Sequence, residues 1–387
     1  MRGKQIRDVI YKYVQIPGRL MQVVDTPEFQ RLRRIRQLGF VHYVYPSANH
    51  TRFEHSLGAC HLGGVALKML NEQQPELLIS PLLVESIQLA LLTHDLGHTA
   101  FSHLFDHEVA PHLDIPEEMK THESRSILLL RHMNQKYTLG FSQAQLDLVA
   151  NLILGTPMPL YPPWIFLFCC NKAFDFDLDK LDYLVRDSYA IGMPRDLQIE
   201  RIFAHMRVVN NSTLAFHSKV AELIVDVFRH RAKMHSEVYR HRVNIAFDHI
   251  GAQMLRNLEQ DWKSLFSDTT HHSWSQITDD ILFSSPSCSV LLNQLQHRKH
   301  PKSRVMHSSS TTEKQEEKEN EKKTEIKTQK TVQVVIGFTS KLLDNPLARI
   351  QCFDSFDHPT QLKSLLECGI SEISSTTPGQ QVTVVLN

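Results

Sequence analysis

The chain has no apolar run long enough to cross a bilayer: the longest, Trp164 to Cys170, falls far short of the ~20 residues a membrane helix needs. Its start, Met1–Arg2–Gly3–Lys4, leads into mixed polar and apolar residues without a hydrophobic secretion segment. Cysteine is scarce and unpatterned. The six residues, Cys60, Cys169, Cys170, Cys288, Cys352 and Cys368, contain no C-x-x-C pair, which argues against a zinc ribbon and a disulfide scaffold and fits a reducing compartment. Net charge is lacking too. The 42 Lys and Arg balance 42 Asp and Glu, so no global field draws the protein onto nucleic acid or an anionic membrane. These absences predict an intracellular protein, nuclear, cytoplasmic or both, with no membrane partner.

What is plentiful is histidine, 23 in 387 residues, and apolar side chains at 42%, enough for one large core with an appendage. The run Leu89–Ala90–Leu91–Leu92–Thr93, of helical composition, delivers His94–Asp95, and His98 follows; Phe101–Ser102–His103 and Phe105–Asp106 come next. At 3.6 residues per turn His94 and His98 share a helix face, a metal-ligand spacing. Neutral imidazole suits Zn, Fe, Mn or Ni, and the adjacent carboxylate adds a hard oxygen. Two surface histidines beside an N-cap aspartate are the alternative for an isolated pair.

In chain order, residues 4–16 read as a strand or hairpin ending at Pro17–Gly18. Thr26 as N-cap and Pro27 then open a helix closed by Gln37–Leu38–Gly39. Its Arg31, Arg33, Arg34 and Arg36 form either a solvated face or an anion site. Thr51 opens a long helix through Leu70 that carries His55, and further helices are expected at 82–92, from Thr121–His122–Glu123, and over Phe141–Leu154. Proline and aromatics make 155–170 a structured loop. The next helix aligns Asp179, Lys180, Tyr183 and Asp187, and a long one from Lys219 to Phe247 aligns Arg231, His235, Tyr239 and Arg242. Each stripe is a solvent face or the wall of a cleft. A charged, low-apolar stretch at 301–331 reads as a flexible linker, with strands expected at 332–338, 348–353 and 381–386. The fold expected is mainly α: a helical domain over 1–300, the linker 301–331, and a small C-terminal α+β lobe over 332–387.

Taken together, Arg52–Phe53–Glu54–His55–Ser56–Leu57–Gly58, His94–Asp95–Leu96–Gly97–His98, Phe101–Ser102–His103, Thr121–His122–Glu123 and Asp179–Lys180–Leu181–Asp182–Tyr183 resemble the motifs of the HD-domain metal-dependent phosphohydrolases. The similarity is to those deoxynucleoside triphosphate triphosphohydrolases that carry a sterile-alpha-motif domain ahead of the HD domain. It covers residue 4 to about 250 well, 285–300 faintly and 332–387 weakly, and the chain begins where the sterile-alpha-motif domain would already have ended.

The resemblance implies that His55, His94, Asp95 and Asp179 bind a divalent metal (Zn, Fe, Mn or Mg). It implies hydrolysis of dNTPs to deoxynucleoside and inorganic triphosphate, with His103 as general acid oriented by Asp106, and His98 and His122 at the phosphates or a second metal. Arg52, Lys180 and Arg231 would neutralise the triphosphate, and Gln37 and Asp187 would hold the 3′-hydroxyl. Leu38 and Tyr239 would crowd the 2′ position, and Tyr183 and His235 would line the same pocket. The family is activated by GTP and dNTPs between subunits of an oligomer, dimer to tetramer. By position, Lys4, Asp25, Gln30, Arg33, Arg201, Lys219 and Arg298 would serve there. Arg7 and His217 depart from that pattern, and 255–300 looks shortened. Two other functions compete: a nucleotide-regulated scaffold binding single-stranded nucleic acid through the Arg31–Arg36 helix, and an HD phosphohydrolase acting on another nucleotide.

Overall fold

Asp8 turns the N-terminal strand back on itself: its Oδ1 accepts the N–H groups of Ile10 (2.8 Å) and Tyr11 (3.0 Å), and Lys12 takes φ 62° in the left-handed region. Lys4–Asp8 pairs antiparallel with Lys12–Ile16, the expected hairpin, and Val14 and Ile16 enter the core. The computed structural model describes residues 3–267, 273–307, 330–336, 346–356, 360–368 and 380–386.

Thr26 caps the next helix as expected, its hydroxyl accepting from the Phe29 N–H at 3.3 Å with Pro27 in the first turn. That helix does not run to Leu38. It is α-helical only over Pro27–Gln30, tightens to a 3-10 turn over Arg31–Arg34, and then extends so that Arg36 bridges Thr51. A tertiary contact overrides local propensity: buried Arg31 donates to the carbonyls of Leu96 (2.6 Å), His98 (2.7 Å) and Ile277 (2.8 Å), drawing the chain inward.

The helix Arg52–Gln73 starts at Thr51, whose N–H is accepted by Glu54 at 3.0 Å, and packs against Pro81–Thr93. Here the helical-face reading of His94 and His98 fails. The helix ends at Thr93, and tight turns follow, with the Leu96 N–H on Thr93 O and the His98 N–H on Asp95 O. Gly97 makes this turn feasible, since a Cβ there would overlap the backbone of His122 and Ser126. His94 and His98 therefore diverge.

Helices follow at His122–Lys136, Gln143–Leu154, Leu178–Ala190 and Ala221–Met234. The last does not continue straight to Phe247: it widens into a π turn over His235–Tyr239 and restarts at Arg242–Arg256, capped by the His241 side chain. The Arg240 N–H reaches His235 O at 2.9 Å, and the freed Tyr239 carbonyl accepts from Asn244 at 3.2 Å, so the widened turn leaves these backbone groups paired.

The fold is mainly α with small sheets, as expected. Met206–Val209 and Thr213–His217 form a hairpin that Gln351–Phe353 joins in parallel, Phe216 opposite Cys352, with Lys363–Ser364 at the edge. Leu347, Ile350, Cys352 and Leu365 thus share the core that contains Trp164, Trp262 and Trp274. A second sheet orders Ser303–His307, Gln380–Leu386 and Lys330–Ile336, with Gln380–Leu386 central. Ser303–His307 is thus a strand inside the stretch read as linker, while 308–329 lie outside the described residues. Among the described residues, no helix is long and apolar enough to cross a membrane.

Candidate metal and phosphate site

Three segments deliver ligand atoms to one point. His55 comes from the first turn of Arg52–Gln73, His94 from the end of Pro81–Thr93, and Asp179 from the first turn of Leu178–Ala190. His55 Nε2 and His94 Nε2 lie 3.0 and 3.3 Å from Asp179 Oδ1, and 3.3 Å from each other. Asp95 adds oxygens 3.6 Å from His55 Nε2 and 3.5 Å from His94 Nε2. The opposite ring nitrogens are engaged: His55 Nδ1 donates to Asp182 (2.8 Å) and His94 Nδ1 to the Leu91 carbonyl (2.8 Å). Both Nε2 lone pairs therefore face inward, the tautomer a metal requires.

Electrostatics agree. Burial pushes the His55 imidazole down, yet hydrogen bonds to Asp179 and Asp182 and the charge of Asp95 override it and bring it up to about 10. His94 is raised against burial by Asp95 and Asp179. Asp95 and Asp179 stay well below the usual carboxylate range despite burial, Asp95 through Arg52 and the neighbouring imidazoles, Asp179 through His55 and His94. The imidazoles bind protons firmly while the buried carboxylates stay ionised, so the group attracts positive charge, and two imidazoles with two carboxylates could hold a divalent metal.

Beside it His98, His103 and His122 form a second group. His98 is fully buried, stacks on His122 with centroids 3.9 Å apart, and has no well-aligned hydrogen bond at either ring nitrogen, Nε2 lying 3.2 Å from Asp95 Oδ1. Asp106 does not orient His103. It binds His122 Nδ1 at 2.9 Å and Arg125, while His103, exposed at one edge, is pushed down to about 3 by desolvation and the charges of His122 and Arg52. The residue Asp106 positions is His122.

The two polar stripes meet beside the candidate metal ligands. Tyr183 lies edge-on to His55 and to Tyr239, both with centroids 6.5 Å apart, and the Tyr239 hydroxyl donates to Asp187 at 2.7 Å. His50 holds the other Asp187 oxygen at 2.7 Å. His235, pushed down to about 3 by burial and the charges of Arg231 and Arg240, stands edge-on to Tyr239. Gln37 Oε1 is buried without a hydrogen-bond partner, and Leu38 is partly buried. The three expected phosphate cations are present but engaged: Arg52 with Asp95, Lys180 with Asp177 (2.7 Å) and Asp175 (3.3 Å), Arg231 with Asp175 (2.6 Å).

The residues expected to bind an activator only partly assemble. Lys4 pairs with Asp25 at 3.5 Å, and Gln30 accepts from Arg33 (2.8 Å), whose guanidinium lies over Phe53. Arg201, Lys219 and Arg298 stand on separate elements, and Arg298 is spent on the Tyr43 carbonyl. His217 turns inward, its Nδ1 accepting the Lys219 N–H at 3.1 Å, with Phe353 and Phe356 against its ring. The basic helix expected for nucleic acid also dissolves: Arg31 is buried, Arg33 stacks, and Arg34 pairs with Asp280.

Sequence reading missed the supports. Asp182 accepts from Tyr11, His55 and Arg186, and Arg186 reaches Asp8 at 2.9 Å. Gly58 leaves room for this, since a Cβ there would overlap the Asp182 carboxylate. The i, i+4 pair Asp182–Arg186 beside Asp179 was a legible signal; Asp8, Tyr11 and His50 had none.

A family model described as the HD domain matches residues 52–161. The deoxynucleoside triphosphate triphosphohydrolase SAMHD1 of Bos taurus is 34% identical over 270 residues, covering 63% of this chain and 46% of that protein. The Homo sapiens protein is 34% identical over 273 residues, covering 63% and 43%, and the Dictyostelium discoideum homologue 32% over 259, covering 67% and 50%. The chain spans about half the length of these curated relatives. Residues 52–161 thus match the HD domain, and over 63 to 67% of its length the chain is similar to proteins of the SAMHD type.

Proposed function

We propose that this chain hydrolyses deoxynucleoside triphosphates to deoxynucleoside and inorganic triphosphate, using a divalent metal held by His55, His94, Asp95 and Asp179. The carrying observation is the convergence of His55 Nε2, His94 Nε2 and Asp179 Oδ1, with Tyr183, Asp187 and Tyr239 packed beside them. A bound divalent ion supplies a water of lowered pKa and polarises a phosphoryl oxygen.

The chain supplies the rest. Arg52 keeps Asp95 ionised, and Asp182 and Leu91 O fix the two imidazoles. Lys180 and Arg231 take the triphosphate. The 5′-oxygen is a poor leaving group until protonated, and His122, held at Nδ1 by Asp106, delivers that proton in place of His103. The unpartnered Gln37 Oε1 accepts the 3′-hydroxyl proton beside Asp187, while Tyr239 and Leu38 close the 2′ side. The same reading extends to activation by GTP or dNTP, a homo-oligomer and a lowering of intracellular dNTP pools.

Chromatography of a dGTP digest by the metal-loaded protein tests this. Inorganic triphosphate is expected, and lost in His94→Ala; pyrophosphate, phosphate, or equal turnover of ribonucleotides refutes it.

A further inference from the structure

All three cations assigned to the triphosphate are already neutralised by carboxylates, so they offer a tetraanionic ligand no free positive charge. Two of those carboxylates are fixed. Asp95 is buried among the metal ligands, and Asp177 is buried and caps its helix, accepting the N–H groups of Lys180 and Asn171 at 3.0 Å each. Asp175 differs. Its side chain is 30% exposed, it caps nothing, and it stands at φ 57° on the loop before the helix. From there it binds Arg231 at 2.6 Å and Lys180 at 3.3 Å, spanning two elements as a phosphate oxygen pair would.

We propose that Asp175 is a built-in anion that occupies the phosphate-binding cations and must be displaced by the polyphosphate of the ligand. The inference rests on the reading of Lys180 and Arg231 as a phosphate site and adds a specificity device to it. A monophosphate gains too little to expel the carboxylate, whereas a triphosphate, touching both cations at once, does. The loop is held from the C-terminal part of the chain. Arg349 donates to the Ala173 carbonyl at 2.7 Å, and Asn171 Oδ1 accepts the N–H groups of Ala173 (3.0 Å) and Phe174 (3.1 Å). Arg349 thus helps to keep Asp175 in place, linking distant sequence to ligand entry.

The test is calorimetric titration of inorganic triphosphate into the 387-residue chain without metal, comparing wild type with Asp175→Asn and Arg349→Ala. Removing two partly exposed ion pairs, Asp175→Asn is expected to bind about tenfold tighter. Arg349→Ala, which loosens the loop, is expected to bind about threefold tighter. For dGTP the gain should fall in KM rather than kcat. Equal or weaker triphosphate binding by Asp175→Asn overturns the proposal. Should that variant fail to fold, unchanged binding by Arg349→Ala overturns it instead. Tighter triphosphate binding without dGTP hydrolysis would sustain this inference and remove the hydrolase reading; hydrolysis with equal triphosphate affinity in all forms would do the reverse.

Discussion

Replacing Asp182 by asparagine keeps its shape and removes its charge, which isolates what the residue does for His55. Four donors converge on its oxygens: Tyr11 Oη and Arg186 Nη2 on Oδ1, both at 2.9 Å, His55 Nδ1 on Oδ2 at 2.8 Å and Arg186 Nε on Oδ2 at 2.9 Å. Asparagine offers one carbonyl oxygen and an NH2 that is itself a donor, so two of these donors lose their acceptor. With charge-assisted bonds at about 1.5–3 kcal/mol each, the cost is roughly 3–5 kcal/mol. At ~3 °C per kcal/mol this lowers Tm by on the order of 10 °C. An imidazole stripped of its orienting carboxylate is also a poorer ligand, by about 10–100-fold in metal affinity. Circular dichroism melts read the first effect, and competition against a chromophoric chelator, well below the variant's melting range, reads the second. Wild-type metal affinity in Asp182→Asn would refute the assigned role, whatever happens to Tm.

Without metal, stability should depend on pH through the same residues. His55 sits at about 10 against an ordinary 6.5, so its contribution is complete below 6.5 and drains as pH rises to 10; Asp182, at about 2 against 3.8, contributes above 3.8 and fails toward 2. Chelator-treated protein should therefore lose Tm between pH 6.5 and 9.5, while stabilisation by added metal grows over that range; a Tm that climbs without metal contradicts this. Gly97→Ala forces a Cβ into the backbone of His122 and Ser126 and should cost about 3 kcal/mol or more, seen as a lowered urea midpoint. An unchanged midpoint would contradict the packing. His122→Gln should lower kcat by roughly 10²–10⁴ and His103→Gln by far less, and the opposite order would restore His103 as the acid.

The candidate ligand residues were legible because their chemistry is local. A His–Asp doublet after an apolar helical run, a capped histidine helix and an acid at a helix start are each marked by their neighbours. What positions them was not. His94 and His98 part company because Gly97 lets the turn press on the helix His122–Lys136, a contact between segments that no periodicity records. Asp106 turns to His122 rather than His103 because Arg125, spanning Gly97 O, Met119 O and the carboxylate, sets its direction. The break at Arg31 and the π turn at His235–Tyr239 likewise answer to tertiary hydrogen bonds. The parallel pairing of Thr213–His217 with Gln351–Phe353 joins strands far apart in sequence, so the expected C-terminal strand could be seen but not its partner.

The most direct test is an anomalous difference map from crystals of the metal-loaded protein. A peak should appear within coordinating distance of His55 Nε2, His94 Nε2, Asp95 and Asp179, and disappear in His94→Ala. Density confined to His98, His103 and His122, or none at either group under saturating metal, would contradict the assignment of this site.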